Sequence, residues 1–279
     1  MTGVLGGLLA ALMWGGSTVV ASRSTRMIGS QQVLAYVMLS GLAMMLVIAP
    51  AVEGTPDLSW RGCGWALLGG VTSVSGLGLV YAALRIGKVG VVAPITSTEG
   101  ALAAVFSVVF LGEHLTVAVA CALAVIAAGV VVVTAQARLA DLQLRPALLA
   151  LAAAAVFGVG LVASSRAGDA IGPFWTILVA RAIGVVFVAA PLALTGRLPR
   201  PGRALPLVVF SGFAEVTGFA GYIIGARDGV AVPAVLSSQF AAVAAVISFA
   251  VFGERLTRLQ LAGAVSITAG VAAVAVLRS

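Results

Sequence analysis

Ionisable side chains are scarce inside the apolar stretches of this chain, and three stand well within them: Glu99, Arg181 and Glu215. A charge held away from water is costly, so it usually faces a partner or a wet cavity and marks the path of an ion or substrate. Glu99 lies in "APITSTEG", where Pro94 removes a helical hydrogen bond and Thr96, Ser97, Thr98 and Glu99 follow within about one turn. A second stretch, "VPAVLSSQF", repeats the pattern with Pro233 ahead of Ser237, Ser238 and Gln239. Interrupted apolar helices with polar clusters at corresponding places point to a transporter's binding site. The hydroxyls could instead satisfy carbonyls freed by the prolines, but that leaves the acid and the glutamine unexplained. Thr98, Glu99, Ser237, Ser238 and Gln239 are therefore candidate substrate-binding residues.

Arg181 and Glu215 admit two readings. They could form a structural ion pair, since buried charges are usually partnered, or contact the carboxylate and ammonium ends of a zwitterionic substrate. Burial disfavours the charged form of a carboxyl, which makes Glu99 and Glu215 candidates for proton coupling. Trp14, mid-segment beside Gly15 and Gly16, could stack on an aromatic or cationic substrate. Tyr81 and Trp175 stand near segment ends and fit an interfacial belt.

The elements that must position these residues are membrane spans. Of 279 residues, 61% are hydrophobic and 9% charged, against roughly 25% charged in a soluble domain. With a mean hydropathy of +1.17, the solvent is lipid. The net charge of +7 is spread between apolar segments, which fits interfacial anchoring rather than nucleic acid. Cys63 and Cys121 lack zinc-type spacing and imply no disulfide framework. The first apolar run has no basic region ahead of it and is followed by more such runs, so it reads as a span rather than a signal peptide.

Apolar segments long enough to cross a bilayer recur ten times: 3–22, 31–50, 63–84, 89–111, 116–136, 146–166, 173–194, 204–226, 231–252 and 257–277. Their continuous runs do not suit β-barrel strands. Segments three to five align with eight to ten at an offset of 141, matching Tyr81 with Tyr222, Gly112-Glu113 with Gly253-Glu254 and Gly129 with Gly270. Trp14-Gly15 matches Phe157-Gly158, and Ser22-Arg23 matches Ser165-Arg166, at an offset of 143. Residues 1–140 and 141–279 are thus two five-span repeats. An odd number of spans per repeat sends the second half into the bilayer from the opposite side. The expected fold is an all-α integral membrane protein, ten transmembrane helices arranged as two inverted five-helix repeats around a central cavity.

The strings "GEHLT" (112–116) and "GERLT" (253–257) follow the fourth and ninth spans. A glycine that ends one helix, a threonine that caps the next and an acid near a helix start account for both. With repeats inverted, Glu113 and Glu254 fall on opposite faces and cannot share a site. His114, the only histidine, lies in the first of these turns. Ala120, Ala124 and Ala128, or Ala262, Ser266 and Gly270, read as packing seams.

Five-plus-five spans with a Gly-Glu-x-Leu-Thr string between the fourth and fifth of each half resemble the EamA-type permeases of the drug/metabolite transporter (DMT) superfamily. The resemblance implies export or exchange of small metabolites, amino acids or drugs across a bacterial inner membrane, and both termini in the cytoplasm. The basic residues disagree on orientation: that placement puts four Lys and Arg inside and eleven outside, whereas the positive-inside rule places both termini outside.

The expected activity is secondary active transport by alternating access, an export of small amphiphilic or zwitterionic metabolites with protons as a candidate coupling ion. A substrate/product exchanger and a non-transporting membrane scaffold are the alternatives. An intramembrane enzyme is disfavoured, since one histidine and no Asp pair in any span offer neither a metal centre nor a nucleophile–base set. No phosphate-cradling loop appears, so no cofactor is expected. The partners are the lipid bilayer and a small-molecule substrate, and two repeats in one chain make a monomer plausible.

Overall fold

The computed structural model describes residues 1–56, 58–114 and 144–252, with a few positions between 116 and 128. Every regular element among them is helical: α1 (Thr2–Ile28), α2 (Ser30–Glu53), α3 (Trp60–Ile86), α4 (Val89–Thr96), α5 (Glu99–Leu111), α6 (Leu144–Ile171), α7 (Pro173–Gly184), α8 (Ala190–Leu194), α9 (Leu205–Gly225), α10 (Ala231–Ser237) and α11 (Phe240–Phe252). A π-turn, Val185–Ala189, joins α7 to α8 into one continuous span. Six helical segments, Pro173–Leu194 among them, are long and apolar enough to cross a membrane, and shorter apolar helices accompany them. Segments 116–136 and 257–277 lie mostly or wholly outside the described residues, as do Glu254 and the Ala262, Ser266 and Gly270 series.

Local chemistry sets the ends. Ser59 caps α3 by accepting from Gly62 N–H at 3.1 Å. Gly112 ends α5 in the left-handed conformation, φ 65°, as its place in the sequence predicts. The helices overrun the expected segment ends: α1 continues to Ile28 and α3 to Ile86.

The fourth and ninth segments are each broken into two helices, at Ser97–Thr98 and Ser238–Gln239. Side chains add donors to the backbone carbonyls beside each break. Thr98 Oγ1 donates to Ile95 O at 2.8 Å, Ser237 Oγ to Ala234 O at 2.9 Å and Ser238 Oγ to Val235 O at 2.7 Å. The Gln239 amide donates to Val235 O at 3.1 Å.

Helices from residues 1–140 pack in antiparallel pairs on helices from residues 141–279, through small residues that let backbones approach. In the α1–α9 pair, Gly3 and Gly6 lie against Gly221 and Gly225, and a Cβ on Gly6 would collide with the Gly221 carbonyl. In the α3–α6 pair, Gly69 faces Ser164 and Gly160 faces Thr72. The α2–α7 pair sets Gly184 on Met38 and Gly41 on the Arg181 stem. In the remaining crossing Gly100 of α5 lies against Ala234 and Ser238.

These pairings sort helix ends onto two faces. The start of α1 meets the end of α9, and the start of α3 meets the end of α6 at Gly62 and Ile171. This is the N-terminal face. On the opposite face Arg26, near the end of α1, donates to Gly87 O beyond α3 at 2.9 Å, and Gly87 touches Pro146 at the start of α6. So α1 starts on one face and α6 on the other.

Candidate functional site

The paired helices surround a partly open cavity. Its walls are Trp14, Ser17 and Thr18 of α1; Leu77, Val80 and Tyr81 of α3; Ala93 and Thr96 of α4; Glu99 of α5; Phe157 and Leu161 of α6; Glu215 and Phe219 of α9; and Phe240 of α11. Most are apolar or aromatic. Two carboxyls stand among them.

The break in the fourth segment places Glu99. After the turn at Ser97–Thr98, Glu99 becomes the first residue of α5, where the helix dipole favours an acid. It is 4% exposed. Gly100 beside it lets α10 approach, since a Cβ there would strike the Ala234 carbonyl. Glu215, mid-way along α9 and 7% exposed, accepts from Ser17 Oγ at 3.0 Å. Both carboxyls line the same cavity.

Trp14 packs with Phe219 and Tyr222, with ring centroids 5.5 and 6.3 Å away. Its indole nitrogen lies where a Gly218 Cβ would be, 2.6 Å from that position. Phe157, the repeat counterpart of Trp14, sits likewise over Gly76 of α3 at 2.6 Å. Each aromatic wall thus rests on a glycine from the other half of the chain.

Arg181 stands behind this wall rather than in it. It is 1% exposed, with its guanidinium 5.9 Å from the Phe219 ring centroid and Nη1 donating to Met38 Sδ at 3.6 Å. Its Nε has no hydrogen-bond partner. Among the described residues no hydrogen bond joins Arg181 to Glu215. A thioether and a ring face are weak company for a buried cation.

Of the residues singled out in the sequence, Trp14, Glu99 and Glu215 are brought together around the cavity, with Arg181 one layer behind. Thr98, Ser237, Ser238 and Gln239 do not line it; their donors hold the two helix breaks. The Gln239 carbonyl oxygen is buried without a partner.

Tyr81, read from its position as interfacial, is 1% exposed and lines the cavity with its hydroxyl unpartnered. The reason is that α3 runs on to Ile86, which leaves Tyr81 more than a turn from the helix end. Glu113 does sit at a helix start, but that of α10: it accepts from Val230 N–H at 3.1 Å and Ala231 N–H at 3.3 Å. Among the described residues no three His, Cys, Asp or Glu side chains converge to hold a metal.

The profile of the EamA-like transporter family matches the chain over residues 1–135 and again over 144–276. No curated protein shows significant sequence similarity to it. Among solved structures, one protein crystal structure superposes with a TM-score of 0.76, covering 99% of this chain and 96% of the other at 21% identity. At that identity the likeness concerns the fold.

Proposed function

Since this chain belongs to the EamA-like transporter family, and so to a group of DMT-superfamily membrane carriers rather than enzymes, we propose that it exports small amphiphilic or zwitterionic metabolites by proton-coupled alternating access. The observation that carries this reading is the pair of buried carboxyls, Glu99 and Glu215, in one aromatic-walled cavity. Two buried carboxylates facing one cavity need a positive charge to share it. Either a proton or the ammonium group of a substrate can supply it. Exclusion of one by the other is the elementary step of proton–substrate exchange. Trp14, Phe157 and Phe240 would hold the apolar body of the substrate, and Arg181, one layer behind Phe219, would favour a substrate carboxylate in the cavity through its charge alone.

Alternating access follows from the pseudo-symmetry. We read residues 1–140 and 141–279 as inverted five-span repeats in a ten-span chain. Three features support this: α1 and α6 begin on opposite faces, the fourth and ninth segments break at positions 141 residues apart, and Gly29 and Gly172, 143 apart, share φ values of 97° and 93°. Inverted repeats can exchange conformations about a fixed midplane site. The setting is a bacterial inner membrane, with one chain as the working unit.

The test is flux in proteoliposomes for a labelled panel of amino acids, purine bases and cationic dyes, with and without a pH gradient. A substrate whose flux follows the gradient in the parent, but not in Glu99→Gln or Glu215→Gln, supports the reading. Gradient-driven flux that both variants retain refutes the role of the carboxyls. Flux driven only by substrate on the far side would make the chain an exchanger.

A further inference from the structure

Two more glutamates, both outside the cavity, are built into the N-terminal face in the same manner. Gly172 precedes α7 with φ +93°, and the space its Cβ would fill is taken by the Glu53 carboxylate at the end of α2. Oε2 of Glu53 accepts from Phe174 N–H at 3.1 Å and Trp175 N–H at 3.2 Å. Gly229 precedes α10 with φ +136°, and its Cβ would stand 2.5 Å from Glu113 Oε1. Oε2 of Glu113 accepts from Val230 and Ala231 N–H. In each case a glutamate from the first half grips a helix start in the second, and the gripped helix is led by a glycine whose missing side chain makes the cradle. Thr2 Oγ1 donates to Asp228 Oδ2 at 2.9 Å and adds a third link beside the second.

Each gripped segment also ends where regular α-helix is interrupted. The α10 segment runs from Ala231 to the break at Ser238–Gln239, where Phe240 enters the cavity wall. The α7 segment runs from Pro173 to the π-turn at Val185 and carries Arg181. A π-turn inside a helix is a frequent companion of function. Each gripped segment is thus held at the N-terminal face and leads to an irregular turn, beside the cavity wall at Ser238–Gln239 for α10 and one layer behind that wall at Val185–Ala189 for α7. The cavity walls from Leu77 to Tyr81 and from Ala93 to Thr96 belong to the last turns of α3 and to α4, the two helices that meet at the opposite face near Gly87. Neither glutamate is fully buried, so water can replace the peptide N–H groups when the grip is released.

We propose that Glu53 and Glu113 are paired latches that close the N-terminal face over the cavity, and that their release from the Gly172 and Gly229 cradles is the step that opens it. This rests on the alternating-access reading, but its test needs no substrate. Cysteine accessibility is measured in membranes, on a background of Cys63→Ser and Cys121→Ser. Ala234→Cys reports from α10 beneath the latch, and Thr96→Cys from the cavity wall on α4. Each is modified from a chosen side by a charged, membrane-impermeant maleimide.

With Glu53→Gln and Glu113→Gln combined, modification of Ala234→Cys from the N-terminal face should rise by about tenfold, as expected for weakening charge-assisted hydrogen bonds. Modification of Thr96→Cys from the other face should fall. Unchanged rates, or rates that rise together at both reporters as in a loosened fold, overturn the proposal. If the double variant does not fold, each single variant should show the same opposed shift at smaller size, and its absence in both overturns the proposal equally. Absent flux with opposed labelling would instead fault the transport reading and leave the latches standing.

Discussion

Replacing Arg181 with methionine should raise stability and abolish transport. The side chain is 1% exposed, its Nε is unpartnered, and its hydrogen bond goes to a thioether 3.6 Å away. A buried ion costs several kcal/mol to desolvate, and an arginine at mid-membrane about 2.5–3.5 kcal/mol on insertion scales. Against this stand a ring-face contact worth roughly 0.5–2 kcal/mol and whatever attraction reaches Glu215 without a direct hydrogen bond. Methionine keeps the apolar stem that packs on Gly41, whose Cβ position is 3.0 Å from Arg181 Cδ. Arg181→Met should therefore stabilise by roughly 1–2 kcal/mol, within the range seen when buried charges give way to apolar side chains. For a chain of this size that is a rise in Tm of roughly 2–8 °C, read by tryptophan fluorescence during heating in detergent. A double-mutant cycle with Glu215→Gln should give a coupling below about 0.5 kcal/mol. A loss of roughly 3–5 kcal/mol, the usual cost of stripping one partner from a buried pair, would refute the reasoning and make Arg181 the structural counter-ion of Glu215.

Gly6→Val should largely prevent folding, because even a Cβ there meets the Gly221 carbonyl and overpacking by two further methyls costs about 3 kcal/mol or more; a normal monodisperse elution profile would contradict the α1–α9 seam. Trp14→Ala should cost about 3–5 kcal/mol through its contacts with Phe219 and Tyr222, whereas Trp14→Phe should retain the fold and change apparent substrate affinity; an unchanged Tm for the alanine variant would show that the indole is not packed as described. Tyr81→Phe should leave Tm within about 1 °C, since its hydroxyl has no protein partner to lose, and should alter KM for substrates with a hydrogen-bond acceptor; a large drop in Tm would reveal a hidden partner.

Much of the fold was legible because lipid imposes length and apolarity together. Most of the turn residues and charges fall between the spans, so the segment starting at 173 ends at Leu194 as read. The helix breaks were legible too, from Pro94 and Pro233 beside runs of Thr and Ser. What those hydroxyls do was not, because the same residue types serve a ligand or a nearby backbone carbonyl equally well, and here they bond Ile95, Ala234 and Val235. Glu99 and Glu215 stood out because a mid-span acid is costly, and both stand in the cavity wall. Ser17, Phe219 and Phe240 were passed over and Tyr81 was read as interfacial, since serines and aromatics are ordinary in spans and only packing reveals which of them face a void. Glu113 was read against its neighbours in the chain, but the N–H groups it accepts from lie 117 and 118 residues away. Local capping logic identified the kind of partner and could not identify which helix supplied it.

The central claim is that substrate and proton compete for Glu99 and Glu215, and proton release on binding tests it most directly. A transported amine would be added to purified protein in weakly buffered detergent while the pH is recorded. The expected result is release of protons in the parent protein, and none or clearly less in Glu99→Gln and Glu215→Gln at matched occupancy. Saturable binding with no release in the parent, or equal release in all three proteins, would contradict it.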